Sequence, residues 1–226
     1  GDIILTGAGA GSTGSANHGV LAMAGFSVSA GSGDVSVTGT GGSGSVGIAI
    51  SGSGSFGGAG QTGTLTLSAN AMSLAGGTVR SSGRVHLRAQ SNGTNLIIGG
   101  TDDTLGLALS TAELGTVNAG ILTIGHDQHT GTVSVTANPS TSTIGTFELI
   151  SGSLSIDSSI GGLLRTFLDA GKNAVAEAGV GAITVSSSIA KTAGGDATLT
   201  LRAKGDLTFN TGIGLSSSSG KLGMDL

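Results

Sequence analysis

"GGDATLTLRAKGDLTF" (Gly194–Phe209) alternates, stops at a turn, and alternates again. Leu199 and Leu201 take one side of an extended chain, while Thr198, Thr200 and Arg202 take the other. After Lys204-Gly205-Asp206, Leu207 and Phe209 resume the apolar side with Thr208 opposite. Such period-two alternation marks strands with one buried and one wet face. The pattern recurs along nearly the whole chain, so its meaning decides the fold.

Read this way, the sequence predicts strands at Ile3–Leu5, Phe26–Val28, Val35–Val37, Val46–Ile50, Leu65–Leu67, Val85–Leu87, Leu96–Ile98 and Leu122–Ile124. The series continues at Val133–Val135, Phe147–Ile150, Leu154–Ile156, Ile183–Val185, Leu199–Leu201, Leu207–Phe209 and Leu222–Met224. Most are bounded by Gly, Ser, Asn or Asp, the residues that end strands. A sandwich, a barrel and a solenoid all use many short strands. The chain has no Trp, no Tyr and a single Asn-Gly step (Asn92-Gly93), which argues against an aromatic-cored sandwich of hairpins. Inward residues are mainly Leu, Ile, Val and Ala, suited to a thin core in which like stacks on like from one coil to the next. The fold expected is all-β: a right-handed parallel β-helix, or β-solenoid, with roughly 20 residues per coil and roughly 11 coils. Gly161–Gly179 departs from the pattern. Leu164, Phe167, Leu168, Ala174, Val175 and Ala178 stand near helical spacing, so 161–179 is read as a short helix or an irregular coil.

Composition narrows the function classes. Gly accounts for 45 of 226 residues and charged residues for 10%, against a usual charged share of about 25%. A chain so rich in Gly and Ser also fits low-complexity disorder. Against that, Leu, Ile, Val and Phe make up about a quarter of it and are ordered in alternation. The net charge of −4 is thinly spread, with no basic stripe interleaved with aromatic residues, so no nucleic-acid partner is expected. No apolar run reaches the roughly 18 residues of a membrane helix. With no Cys there is no disulfide, thiol nucleophile or Cys-based metal site. The chain opens at Gly1 without a leader pattern and is read as one β-helical segment, 1–226, of a longer protein.

Two stretches carry a resemblance. "SSSIAKTAGGDATLTLRAKGDLTFNTGIGLSSSSGKLGMDL" (Ser186–Leu226) resembles the repeat regions of filamentous-haemagglutinin-type exoproteins, the secreted partners of two-partner (type Vb) systems. "LGLALSTAELGTVNAGILTIGHDQHTGTVSVTA" (Leu105–Ala137) is similar to another unit of that family: a Ser-Thr-Ala-Glu-Leu turn, a Leu-Thr-Ile-Gly strand and a Thr-Gly-x-Val-x-Val strand. The resemblance implies a right-handed parallel β-helix and secretion to the bacterial cell surface through an outer-membrane transporter partner. It also implies roles in adhesion, aggregation or toxin presentation, with host or neighbouring-cell glycans or proteins as partners. The family's secretion domain carries Asn-Pro-rich motifs, whereas the only Pro here is Pro139, so the segment is read as central shaft. End-to-end self-association is a further expectation of uncapped coils.

Residues able to carry chemistry are few, and none is assigned a catalytic, cofactor-binding or metal role. His126-Asp127-Gln128-His129 holds the one local group of metal-capable side chains, but it is placed in an exposed turn, where such residues collect without function. The remaining histidines, His18 and His86, stand near no convincing Gly-x-Ser-x-Gly elbow. A carbohydrate-active β-helix, a polysaccharide lyase or hydrolase, is the alternative function; Asp102-Asp103 is its nearest carboxylate pair, and it lacks Tyr and Trp for sugar stacking. Gly31–Asp34 and Ala193–Asp196 match fragments of a Ca²⁺-binding nonapeptide, yet isolated copies cannot supply an ion's ligands, and Asp there is expected to bond local backbone. The Gly-Ser stretches 41–47 and 51–58 meet a loose dinucleotide fingerprint through composition alone. Arg80, Arg84, His86 and Arg88 form a short basic group, read as a solvated strand face. Asn92-Gly93-Thr94 is one sequon-like triplet.

Overall fold

The computed structural model describes residues 1–11, 17–101 and 106–226. The chain is mostly β, 46% strand and 8% helix, with long parallel sheets. All fifteen predicted strands overlap observed ones, and every strand pairing among the described residues is parallel.

The main sheet follows the chain. Ile3–Ala8, Val35–Thr40, Leu65–Ser68, Thr78–Arg88, Val117–Gly125, Ile144–Ser151, Asn173–Ala178, Ala197–Ala203 and Leu222–Asp225 lie side by side in that order. Register stacks like on like. One inward column runs Leu5, Val37, Leu67, Leu87, Ile124, Leu149, Ala176, Leu201. Two residues earlier, a second column runs Ile3, Val35, Leu65, Val85, Leu122, Phe147, Ala174, Leu199, Met224. Between them, on the outer face, stand Ser36, Thr66, His86, Thr123, Glu148, Val175, Thr200 and Asp225. A one-residue slip would exchange the two faces, so the apolar columns fix the register.

Each return to the main sheet passes through shorter sheets: Val20–Ala22 with Ile48–Ile50 and Met72–Ser73; Gly106–Leu109 with Asn95–Ile98 and Val133–Val135; Leu154–Ile156 with Ile183–Val185 and Leu207–Phe209. The Lys204-Gly205-Asp206 turn is therefore a corner. The strand before it pairs within the main sheet, and the strand after it pairs with Ile183–Val185 in another. One buried apolar cluster, from Ala22 to Leu201, lies between these layers.

The 20-residue coil is corrected by the register. Ile3 to Val35 is 32 residues, Val35 to Leu65 30, Leu65 to Val85 20, and Val85 to Leu122 37. The later passes are 25, 27, 25 and 25 residues, from Leu122 through Phe147, Ala174 and Leu199 to Met224. The main sheet is thus crossed nine times, with these eight intervals between crossings, rather than eleven. The extra length goes into added strands and two helices that local alternation does not reveal.

Those helices are α1 (Thr111–Gly115) and α2 (Ser158–Asp169). The stretch 161–179 thus divides into the body of α2 and the strand Asn173–Ala178. Asp157 caps α2, its carboxylate accepting the Ser159 and Ile160 N–H groups. Ile160, Leu163, Leu164, Phe167 and Leu168 are buried, and Phe167 stacks on Phe147 at 4.5 Å and 9°. The following strand is trimmed to match: its inward residues are Ala174, Ala176 and Ala178.

Glycine serves close approach as well as turns. A Cβ on Gly39 or Gly47 would meet the other's carbonyl, so the layers touch there backbone to backbone. Gly125 ends its strand at φ 89°, where a side chain would also collide with the Ile150 carbonyl.

Candidate functional site

The polar outer face of the main sheet carries a set of ionisable side chains, among them Arg84, His86, Glu148, Glu177, Arg202 and Asp225. Arg84, at one edge of the central row, pairs with Glu148, which also accepts the Thr123 hydroxyl at 2.8 Å. Arg202 lies between Glu177 and Asp225, at 3.8 and 4.0 Å. His86 donates from Nε2 to the Gly125 carbonyl at 2.6 Å. Burial pushes the His86 pKa below the ordinary histidine value; the Gly125 carbonyl works against this, and Arg88 and Arg84 add to it. The basic group is thus divided. Arg84 is matched by a carboxylate, His86 is tied to backbone, and Arg80 and Arg88 are exposed.

The His126–His129 turn is where predicted, with Asp127 and Gln128 exposed, but its two histidines are buried. His126 is 8% and His129 1% accessible, because the turn folds in between Thr94 and Ser151. His129 Nε2 lies 2.7 Å from the Thr94 carbonyl, so Nε2 carries the proton and Nδ1 accepts from the Ser151 hydroxyl at 3.0 Å. The rings meet edge to face at 5.9 Å. His126 Nε2 is buried without a partner. Its pKa is lowered, first by burial, then by His129 and Arg88, with Asp127 opposing. Both nitrogens of His129 are engaged, and among the described residues no group of three His, Asp or Glu side chains could hold a metal ion. The Ser151–His129 bond has the atoms of a Ser–His dyad. Both residues are sealed from solvent, and the ring's far nitrogen faces a carbonyl rather than a carboxylate.

The aspartates of the two Ca²⁺-like fragments bond backbone, though one pass away rather than locally. Asp34 Oδ1 accepts the Thr64 N–H at 2.7 Å, and Asp196 Oδ1 accepts the Lys221 N–H at 2.8 Å. Asp2, Asn95 and Asn173 do the same for Asp34, Thr132 and Thr198. Such side chains clip each pass to the next. The Gly-Ser stretch 41–47 runs between strands, 51–58 contains the strand Ser55–Gly57, and neither opens a helix. The His18 ring nitrogen Nδ1 is buried without a partner ahead of Val20–Ala22, and Asn92 is exposed. Asp102 and Asp103 lie outside the described residues.

Three features escape the sequence reading. Glu113, 3% accessible, accepts the Leu74 N–H at 2.9 Å and the Ser110 N–H and hydroxyl at 2.8 and 2.7 Å. The Ser-Thr-Ala-Glu run that forms this capping box was its signal. Lys191 is fully buried, its ammonium held by the carbonyls of Ala193, Gly194 and Ser219. A lysine in phase with the inward Ile189 was the available sign. The third is a cleft of about 430 Å³ between Val133–Val135 and Leu154–Ile156, two neighbouring strands that do not pair.

No family model, curated protein or solved structure matches the chain.

Proposed function

We propose that the chain is a length of right-handed parallel β-helix forming the structural shaft of a secreted bacterial adhesin or surface filament, without catalysis. The observation that carries this reading is the main sheet: nine strands stacked in chain order, with apolar columns continuous from Ile3 to Met224. Each pass buries its apolar residues only against its neighbours, so the architecture provides length and stiffness. The ionisable side chains support it further. Asp34, Asp196, Glu113 and Lys191 hold backbone, and Arg84 and Arg202 are matched by carboxylates. The resemblance of Leu105–Ala137 and Ser186–Leu226 to filamentous-haemagglutinin repeats supplies the secreted, cell-surface setting and a transporter partner during export.

Incubating the purified chain with acidic and neutral polysaccharides tests the non-catalytic part. Neither new reducing ends nor unsaturated uronate should accumulate. Sustained turnover that is lost on Asp102→Ala or Asp103→Ala would overturn the shaft in favour of a carbohydrate-active enzyme.

A further inference from the structure

We propose that the cleft between the strand edges of Val133–Val135 and Leu154–Ile156 is a binding slot for an extended, uncharged peptide segment of a partner protein, taken up as an added β-strand. The two strands follow adjacent main-sheet strands that do pair, Val117–Gly125 and Ile144–Ser151. They separate because their links differ. Seven residues, 126–132, lead into Val133, whereas only Gly152 and Ser153 lead into Leu154. The Gly152 N–H still donates to the His129 carbonyl at 2.8 Å, and beyond that bond the ladder opens. Helix α2 then places Ile160 on the wall of the gap.

Main-chain groups are left facing the opening. The Thr132 carbonyl accepts from Leu96, and the Thr136 N–H donates to Ile98, each at 2.8 Å. Alternation along a parallel strand therefore turns the N–H and C=O of Val133 and Val135 the other way, toward the cleft. Opposite, the Leu154 N–H donates to Ala182 at 3.0 Å and the Ile156 carbonyl accepts from Ser186 at 2.9 Å. That leaves the main chain of Ser155 facing the opening. Unpaired edges of this kind are what an incoming strand recognises.

Shape and charge select the occupant. Two smaller recesses of about 210 Å³ each lie along the same strand: one, beside His129 and Gly152, shares Gly131 and Ser153 with the cleft, and the other lies beside Val135 and Asn138. Residues 129–133 border the cleft and its first recess, and residues 135–138 border the second. Among the described residues no Asp, Glu, Lys or Arg lines the cleft or either recess, so a charged segment would lose hydration without gaining a partner. Apolar Val133, Leu154 and Ile160 sit among the hydroxyls of Thr132, Ser155 and Thr184. This mixture suits side chains alternating between Val-like and Thr-like. No aromatic platform is present for a sugar.

The test uses a fluorescein-labelled, capped hexapeptide of alternating Thr and Val, titrated with the whole chain and followed by anisotropy. Saturable binding is expected. The same peptide N-methylated at alternate nitrogens should bind about tenfold more weakly, the loss of one or two main-chain hydrogen bonds. Val135→Pro removes a cleft-facing N–H without touching the bonds to Asn95–Ile98, and Pro is tolerated at such an edge. It should weaken the unmodified peptide at a temperature where circular dichroism shows the variant fully folded. The proposal is overturned if the peptide does not saturate, if its N-methylated form binds equally well, or if maltohexaose displaces it.

Discussion

The buried ammonium of Lys191 donates to the carbonyl oxygen of Ser219, 28 residues on and one pass along the sheet. It also donates to Ala193 at 2.5 Å and Gly194 at 3.2 Å. Its hydrogen bonds thus go to carbonyl dipoles at a corner where a glycine turn leaves oxygens converging. A side chain on one pass is thereby stapled to backbone on the next, and several other polar residues do the same.

Removing that staple should loosen the last pass. Lys191→Met leaves three carbonyls without their donor, and about 1–3 kcal/mol of destabilisation is expected. Urea unfolding measures the total. Amide exchange should show the loss concentrated in Leu215–Ser217 and Leu222–Asp225 rather than across the sheet.

Glu113 gives a second case. Glu113→Ala takes the acceptor from the buried Leu74 N–H and dismantles the capping box with Ser110, for a cost of about 2–3 kcal/mol. Glu113→Gln keeps an acceptor oxygen and should recover part of the loss in the urea midpoint.

Packing between α2 and the main sheet predicts the largest single effect. Phe167→Ala empties the space against Phe147 and should cost about 3–5 kcal/mol. Thermal unfolding followed by circular dichroism measures it. Because the strand beneath is already trimmed to Ala174 and Ala176, little can move in to fill the cavity.

His86 and His126 make stability depend on pH. Both pKa values are lowered in the folded chain, chiefly by burial, so folding favours the neutral rings. Their contribution is complete above the unfolded value of about 6.5 and is lost as pH falls through it toward the folded values. The melting temperature should hold between pH 8 and 7 and decline toward pH 5. His126→Gln should make that decline shallower.

Much of this was legible in the sequence, and what was missed has physical causes. Leu65, Leu67, Val85 and Leu87 announce their strands because period-two alternation survives in short windows. The length of a pass does not, since the links of 20 to 37 residues absorb helices and extra strands without disturbing local alternation. Asn173–Ala178 hides for a sharper reason: α2 fills the core there, so the inward residues are Ala and the larger Val175 sits in the outward row beside Glu148 and Thr200. The histidine turn was placed correctly in the chain, and Asp127 and Gln128 do lie at its surface, but the burial of the two histidines was missed. That burial depends on Thr94 and Ser151, partners 35 and 22 residues away. The open ladder at Val133 arises from unequal link lengths in adjacent passes, which no single window contains.

Cryo-electron microscopy of the purified chain, scoring particle shape before refinement, tests the shaft most directly. Nine passes at about 4.8 Å each give a rod of roughly 40 Å with that spacing along its axis. Such rods, single or joined end to end, are the expected result. A globular particle without the 4.8 Å repeat along a common axis would contradict the stacked parallel architecture and the shaft built on it.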